Sequence, residues 1–314
     1  MSRRPISAPD GTLGAVSTVV RSMRSNLARA TVLLSTALLA AGCAAQAGGG
    51  SGASPSTTAA VPLPDDGGLV LQVEYVGGFM TPRTNIGRLP LVSVYADGRV
   101  ITEGPVAAIY PGPALPNLQV AQIEPALVED LARLALDAGV GQDDDYGMPG
   151  VADAPSTRFT VVTADGVEVS EVYALAEGPL TPEAEGGSGL TKDQVASRAR
   201  LQRLLEDITA TGGGASESYV PEAVVAVVGT DFVAGATSDD VATWPGPPLP
   251  GDELRTGLDL YCVAAEGEAA DAVLDAAADA TVETVWKNPD GARWALTLRP
   301  LLPHETGCAD LPQA

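Results

Sequence analysis

Histidine and cysteine, on which much catalytic and metal-binding chemistry depends, are scarce in this sequence: one histidine, His304, and three cysteines, Cys43, Cys262 and Cys308. Serine hydrolysis needs a base beside the nucleophile, and His304 is the only imidazole available for that role. It lies in a proline-rich tail, and the sequence has no Gly-x-Ser-x-Gly motif. We therefore expect His304 to be a surface histidine, and we predict that the protein has no catalytic residue and is not an enzyme.

Cys262 and Cys308 form an even pair once Cys43 is set aside. A zinc site or a reactive thiol would need neighbouring histidines or cysteines at ligand spacing, and only His304 is available. Paired cysteines outside the cytoplasm usually form a disulfide, so we predict one here. Closing a loop of about 46 residues would stabilise the fold by roughly 4 kcal/mol in the chain-entropy model.

One group of acidic residues is a candidate calcium site: Asp143, Asp144 and Asp145, with Asp153 nearby. Carboxylate oxygens suit calcium, but the spacing of an EF-hand loop is absent, so a solvated acidic loop is the favoured alternative. The triple glycine at residues 212–214 lacks the lysine of a phosphate-binding loop. We predict no cofactor and no other metal site.

Cys43 follows an apolar segment, residues 30–41, which is preceded by Arg21, Arg24 and Arg29. The segment is shorter than the roughly 20 residues that span a bilayer, but it suits the core of a signal peptide. We predict a signal peptide over residues 1–42, with Met23 as an alternative translation start because residues 23–41 alone supply a basic region and an apolar core.

The end of this signal, residues 40–43 (AAGC), resembles the lipobox of bacterial lipoproteins, with alanine where leucine is commonest. The resemblance implies cleavage before Cys43 and attachment of lipid to its sulfur. The expected partner is then the membrane, and the expected location is the outer face of the cytoplasmic membrane. An ordinary secretory signal with Cys43 as an incidental residue is the alternative.

The charge of the chain is strongly negative, −22 overall. Residues 1–42 hold five arginines and one aspartate, so the remainder carries about −26. This charge argues against binding to nucleic acid or to anionic lipid headgroups, because both need a basic surface. It leaves an unidentified envelope protein or a cationic ligand as partners, with solubility alone as the alternative explanation.

The sequence predicts an α+β fold of antiparallel hairpins and about three helices. Residues 43–68 are rich in glycine, serine and threonine and are expected to form a flexible linker. Two subdomains are predicted, residues 69–212 and 219–314, with a glycine-rich boundary between them. Whether the two halves share one sheet is left open.

Turn and capping residues predict the individual elements. Asp97-Gly98 and Asp165-Gly166 separate β-branched runs and predict two-residue hairpin turns, whereas residues 288–291 (NPDG) predict a type I turn with a glycine bulge. Apolar residues at helical spacing predict helices after Pro125, after a capping box at Thr191, and over residues 266–280.

Two segments, residues 110–118 (YPGPALPNL) and residues 299–305 (RPLLPHE) ahead of Cys308, resemble stretches of actinobacterial membrane lipoproteins that have no assigned function. This resemblance implies a family and a location but no activity. Residues 77–79 (GGF) resemble a stretch of small protein inhibitors of metalloproteases such as emfourin. A glycine turn at the end of a strand is the alternative for those three residues.

These observations predict a non-catalytic binding or scaffolding protein held at the cell envelope by lipid. One alternative is an inhibitor of secreted proteases that uses residues 77–81 or a proline-rich loop. A second alternative is a carboxylate-dependent hydrolase acting on wall glycans; its catalytic pair cannot be chosen from the sequence, because so acidic a chain offers many pairs.

Overall fold

The first half of the chain folds into a seven-stranded antiparallel sheet. The structure, a computed structural model, describes residues 60–65, 67–177, 189–229, 240–255 and 257–312. The predicted signal peptide and Cys43 lie outside these residues. The strands are β1 (Leu69–Val76), β2 (Val92–Tyr95), β3 (Arg99–Glu103), β4 (Leu118–Gln122), β5 (Ser156–Thr163), β6 (Gly166–Tyr173) and β7 (Ser216–Ser218). Their order in the sheet is β6-β5-β1-β2-β3-β4-β7.

The second half forms a separate sheet of six strands. They are β8 (Ala223–Gly229), β9 (Val241–Thr243), β10 (Asp252–Arg255), β11 (Leu260–Glu266), β12 (Val285–Lys287) and β13 (Arg293–Pro300). The order is β10-β11-β8-β13-β12-β9, and every pairing is antiparallel except the parallel pair β12 and β9. The two halves therefore do not share a sheet.

Four helices are described: α1 (Pro82–Ile86), α2 (Pro125–Asp137), α3 (Lys192–Thr211) and α4 (Glu268–Ala278). Helix α2 begins at a proline, whose missing N–H costs nothing in the first turn. Helix α3 begins with the predicted capping box, in which Thr191 and Gln194 each accept a hydrogen bond from the other's backbone N–H. The predicted α+β fold is confirmed, with α1 added to the three expected helices.

The core of the first half lies between its sheet and helices α2 and α3. Alternate residues of β1, β2 and β5 point to this side, and they meet one buried stripe from each helix. The fully buried members include Leu71, Val94 and Phe159 from the strands and Val128 and Leu201 from the helices. This core uses only residues from the first half of the chain.

The second sheet is covered on both faces, and part of each cover comes from the first half. On one face, helix α4 and Trp244 pack with Ala114 and Leu115, which lie in the loop between β3 and β4. On the other face, Ile86 of α1 packs with residues of β8 and β11 and with the chain after β13. The described residues accordingly form one compact unit.

The hairpin turns differ in detail from the prediction. Strand β2 ends at Tyr95 and β3 begins at Arg99, which leaves a three-residue loop closed by Gly98 at a φ of +88°. A side chain at Gly98 would collide with the carbonyl oxygen of Ile123, so the glycine serves a close approach as well as a turn. The predicted two-residue Asp97-Gly98 turn is therefore wrong.

In the next hairpin, Thr163 pairs with Gly166. The two-residue loop is thus Ala164-Asp165, one position earlier than predicted. The last hairpin matches the prediction, since Gly291 lies at a φ of +91° and its N–H donates to the oxygen of Asn288 at 2.9 Å.

Two segments expected to be irregular take part in the fold. Val61 and Leu63 pack against the first core, and the oxygen of Pro62 accepts a hydrogen bond from the N–H of Ala164 at 2.8 Å. The folded region therefore begins before residue 69, inside the segment predicted as linker. Within the predicted boundary at residues 211–218, strand β7 pairs with β4.

Candidate functional site

A cleft of about 810 Å³ lies where the two sheets meet. We call it the junction cleft. It is lined by Arg99 of β3, by the connection between the sheets (Tyr219, Val220, Glu222 and Ala223), by the β11–α4 turn (Glu266, Gly267 and Asp271), and by the tail residues Leu301, Leu302, Pro303, Glu305 and Thr306. Both halves of the chain contribute to it, so the cleft exists only in the assembled fold.

The junction cleft is predominantly acidic. Glu222, Glu266 and Asp271 form no ion pair within the part of the chain that the structure describes. The one cation in the lining, Arg99, is paired with Asp97 at 2.7 Å and stacks 5.2 Å from the ring centre of Tyr95. The uncompensated charge of the lining is therefore negative, which favours a cationic ligand.

Tyr219 supplies an aromatic wall to the cleft and fixes the connection between the sheets. Its hydroxyl donates a hydrogen bond to the oxygen of Leu301 at 3.0 Å. Burial raises the pKa of Tyr219 to about 12, and Glu222 and Glu305 act in the same direction. The hydroxyl thus stays neutral and engaged at physiological pH, so Tyr219 positions the tail and does not act as a base.

The fourth carboxylate of the cleft, Glu305, is neutralised by a buried ion pair. The two terminal nitrogens of Arg299 reach the two carboxylate oxygens of Glu305 at 2.7 and 2.8 Å, and neither side chain is more than 5% exposed. Glu305 also accepts from the N–H of Leu302 at 2.8 Å, and the Nε of Arg299 donates to the oxygen of Arg88 at 3.2 Å. This bidentate pair fixes the tail between the two sheets.

His304 points to the first sheet from the same tail. Its Nδ1 lies 2.9 Å from the hydroxyl of Tyr95, and its Nε2 lies 3.4 Å from the amide nitrogen of Gln72. That amide donates to the hydroxyl of Ser93 at 3.1 Å. Burial lowers the pKa of His304, with opposing contributions from Glu305 and Arg299. Ser93 is buried and bonded to Gln72, so this cluster does not place a serine nucleophile against the imidazole.

The residue His304 as a whole is exposed, as expected for a surface histidine, although both of its ring nitrogens lie against the first sheet and are shielded from water there. Sequence reasoning identifies residues 299–305 only by their resemblance to stretches of lipoproteins. Their role in joining the two sheets was missed, because the chain leaves strand β13 at Pro300 and no periodicity relates Arg299 to a residue of the irregular segment that follows.

The predicted cysteine pair is bonded in the structure. Cys262 of β11 and Cys308 form a disulfide with a Cα–Cα distance of 6.0 Å. Both cysteines lie in the cluster that includes Ile86 and Leu301. The bond therefore links the end of the tail to the face of the second sheet.

The four candidate calcium ligands are not gathered into a site. Asp144 forms an ion pair with Arg200 at 2.6 Å, and Asp145 accepts from the N–H of Gly147 and from Gln194, both at 2.8 Å. Within the described ranges, no three histidine, cysteine or acidic side chains are placed to hold a metal ion. Asp144 and Asp145 instead bond to helix α3 and to the loop that contains them.

The aromatic and proline-rich loops have structural roles as well. Trp244 is buried and packs edge-on against Trp286, with ring centres 5.5 Å apart. Trp286 pairs directly with Trp294 across the last hairpin. Phe79, by contrast, is 87% exposed in the loop after β1.

Comparisons with protein families, with curated proteins and with solved structures found no match for this chain. None of the described helices combines the length and the apolar composition that a membrane span requires.

Proposed function

We propose that this protein is a lipid-anchored, extracytoplasmic and non-catalytic binding protein that holds a cationic ligand in the junction cleft. The observation that carries the proposal is the set of three unpaired carboxylates, Glu222, Glu266 and Asp271, in a concave site built from both halves. The apolar segment ending at Cys43 supports the location.

The three acids come from rigid surroundings, which suits a binding site. Glu266 ends β11, and Asp271 lies in the first turn of α4. Glu222 immediately precedes β8. Sites on regular elements hold their side chains in place before the ligand arrives, and this lowers the entropic cost of binding. The exposed position of the acids keeps their attraction moderate and sensitive to salt.

A titration of the folded region with a defined cationic probe tests this proposal. Tetralysine added to residues 44–314 at low salt should bind, and the variant Glu222→Gln/Asp271→Asn should bind about tenfold more weakly, since each exposed ion pair contributes up to about 1 kcal/mol. The matched control is Asp165→Asn/Glu168→Gln, which removes two exposed acids from the β5–β6 hairpin. Equal affinities for the two double variants would show that the junction cleft is not the site.

A second candidate, the inhibitor of secreted proteases, is favoured by the exposure of Phe79. Gly77 and Gly78 both take positive φ angles, and the N–H of Phe79 donates to the oxygen of Asp153 at 3.1 Å, so the phenyl ring is presented from a fixed turn. Adding the purified chain to a panel of secreted metalloproteases tests it. Inhibition that is lost in Phe79→Ala would support this candidate, and unchanged rates across the panel would remove it.

A further inference from the structure

The longest exposed apolar loop of the described chain follows β3. All six residues of the segment 105–110 (PVAAIY) are exposed and uncharged, with Val106 at 66%, Ile109 at 65% and Tyr110 at 83% exposure. Val282 is also exposed, and its N–H donates to the oxygen of Gly112 at 3.0 Å, which places it beside this loop. Contiguous exposed apolar side chains on an otherwise acidic protein mark an interaction surface.

The loop is held in place at both ends. At its base, the N–H of Gly104 donates to the oxygen of Asn117 at 2.7 Å, and the Asn117 amide donates to the oxygen of Pro105 at 2.9 Å. Further along, the N–H of Ala114 donates to the oxygen of Ala280 at 2.9 Å, and the hydroxyl of Tyr110 donates to the carboxylate of Glu283. A surface that is ordered before binding loses little entropy when a partner arrives.

The position of the loop relative to the chain's entry point argues against a bilayer as the occupant. The described chain enters beside the β5–β6 turn, where Pro62 bonds to Ala164, and Leu69 begins β1 at that same end of the sheet. Strand β3 runs away from that end, and the loop leaves it just beyond Thr102, which pairs with Val92, the partner of Val73. Val73 lies four residues along β1 from Leu69, so the base of the loop is about 13 Å from the point where the described chain enters, and the chain leaves β3 heading away from that point.

The charge of the chain argues against a second copy as the occupant. Two molecules that each carry about −26 repel one another, and Glu103 and Glu283 border the loop itself. These two carboxylates favour a partner whose apolar pocket is surrounded by lysine or arginine side chains.

We propose that residues 105–110, together with Val282, form a docking surface for a second extracytoplasmic protein that presents an apolar pocket with a basic rim. The direction of the surface away from the bilayer rests on the proposed anchor at Cys43. The surface is separate from the junction cleft, so the protein would hold a ligand in the cleft and a partner protein on the loop.

Site-specific photocrosslinking in the native cells tests this proposal. A photoreactive p-benzoylphenylalanine replaces Ile109 in the full chain, and the matched control places it at Val169, which is also exposed but lies on β6. We expect a discrete protein adduct from position 109, none from position 169, and loss of the adduct when Val106→Asp is added. The partner identified from the adduct should then bind purified residues 44–314, at least tenfold more weakly with Val106→Asp and equally well with Val167→Asp.

Other outcomes overturn the proposal. An adduct twice the mass of this chain would assign the loop to self-association. Binding to vesicles of phosphatidylglycerol and phosphatidylethanolamine that Val106→Asp abolishes would assign it to the bilayer. Equal or absent adducts at the two positions would remove the surface. The variant Glu222→Gln/Asp271→Asn should keep the adduct, so failure of the cleft proposal is distinguishable from failure of this one.

Discussion

The two sheets differ in where their cores come from. The first sheet is packed by α2 and α3, and every member of that core lies between Val61 and Ile208. The second sheet is packed by α4, but it also needs Ala114 and Leu115 on one face and Ile86 on the other. The core of the first half consists of its own residues, whereas the cores of the second half also include residues of the first half.

The first half also depends on the second, although less strongly, through the tail that follows β13. Leu302 packs with Leu89, Tyr95 and Ile101 on the outer face of the first sheet. The adjacent ion pair of Arg299 and Glu305 lies in the same place. Segments that cross between the halves therefore create the junction cleft, and disturbing them should affect the second half more than the first.

The largest expected effect comes from separating the halves. A fragment of residues 60–218 should keep a cooperatively folded core, because its packing is internal. A fragment of residues 219–314 should remain unfolded, because it lacks Ile86, Ala114 and Leu115. Circular dichroism and amide exchange measure both, and mixing the two fragments should restore structure to the second. Independent folding of residues 219–314 would show that the second half does not depend on residues of the first half.

The next effect concerns the buried ion pair. Arg299→Leu leaves the carboxylate of Glu305 buried without its counter-charge, which should lower the free energy of unfolding by about 3–5 kcal/mol. Urea denaturation measures the change. The control is Arg133→Leu on α2, which removes exposed pairs with Glu129 and Asp130 and should cost less than about 1 kcal/mol. Similar losses in both variants would show that the tail is not a principal connection.

Removing the disulfide should have a somewhat smaller effect. Cys262→Ala/Cys308→Ala frees a loop of about 46 residues in the unfolded chain and should lower the free energy of unfolding by up to about 4 kcal/mol. Guanidinium denaturation of oxidised wild type and variant measures it. Thiol titration of the unreduced protein is the accompanying check, and full reactivity of both cysteines would contradict the bond.

The smallest expected effect is a pH dependence at His304. Burial lowers the pKa of His304 below its ordinary value of 6.5, so the folded protein binds fewer protons than the unfolded chain as the pH falls. Stability from this group is therefore present above pH 6.5 and is lost as the pH falls through the folded pKa. Melting temperatures between about pH 5 and 8 should fall less steeply for His304→Gln. Parallel curves for the two proteins would contradict the role of burial.

A second group in the same region titrates in the opposite sense. Burial raises the pKa of Glu74 above 4.5, against the lowering effect of Arg158. Its contribution to stability is present below pH 4.5 and is lost as the pH rises through the folded pKa. It is common to wild type and His304→Gln, so the difference between their curves isolates the histidine.

Local signals in the sequence predict the elements whose residues are consecutive. Pro125 lies at the start of α2 as predicted, and Thr191 begins α3 as the capping box requires. The three-residue strands β7 and β9 give no such signal, because so short a segment shows no periodicity. Helix α1, five residues long, was missed for the same reason.

The candidate site depends on contacts between residues far apart in sequence. Arg99, Glu222, Asp271 and Glu305 meet only because the connection at Tyr219 and the tail cross between two sheets. No spacing rule relates such positions. The exposure of segment 105–110 could not be predicted either. An apolar run in a sequence predicts burial, and only the surrounding fold shows that this one lies at the surface.

We propose that this protein is held at the outer face of a membrane by lipid on Cys43. Labelling cells with radioactive palmitate tests it most directly. The label should enter the wild-type protein, and Cys43→Ala should remain unlabelled. Absence of label in the wild type, or equal labelling of Cys43→Ala, would contradict it.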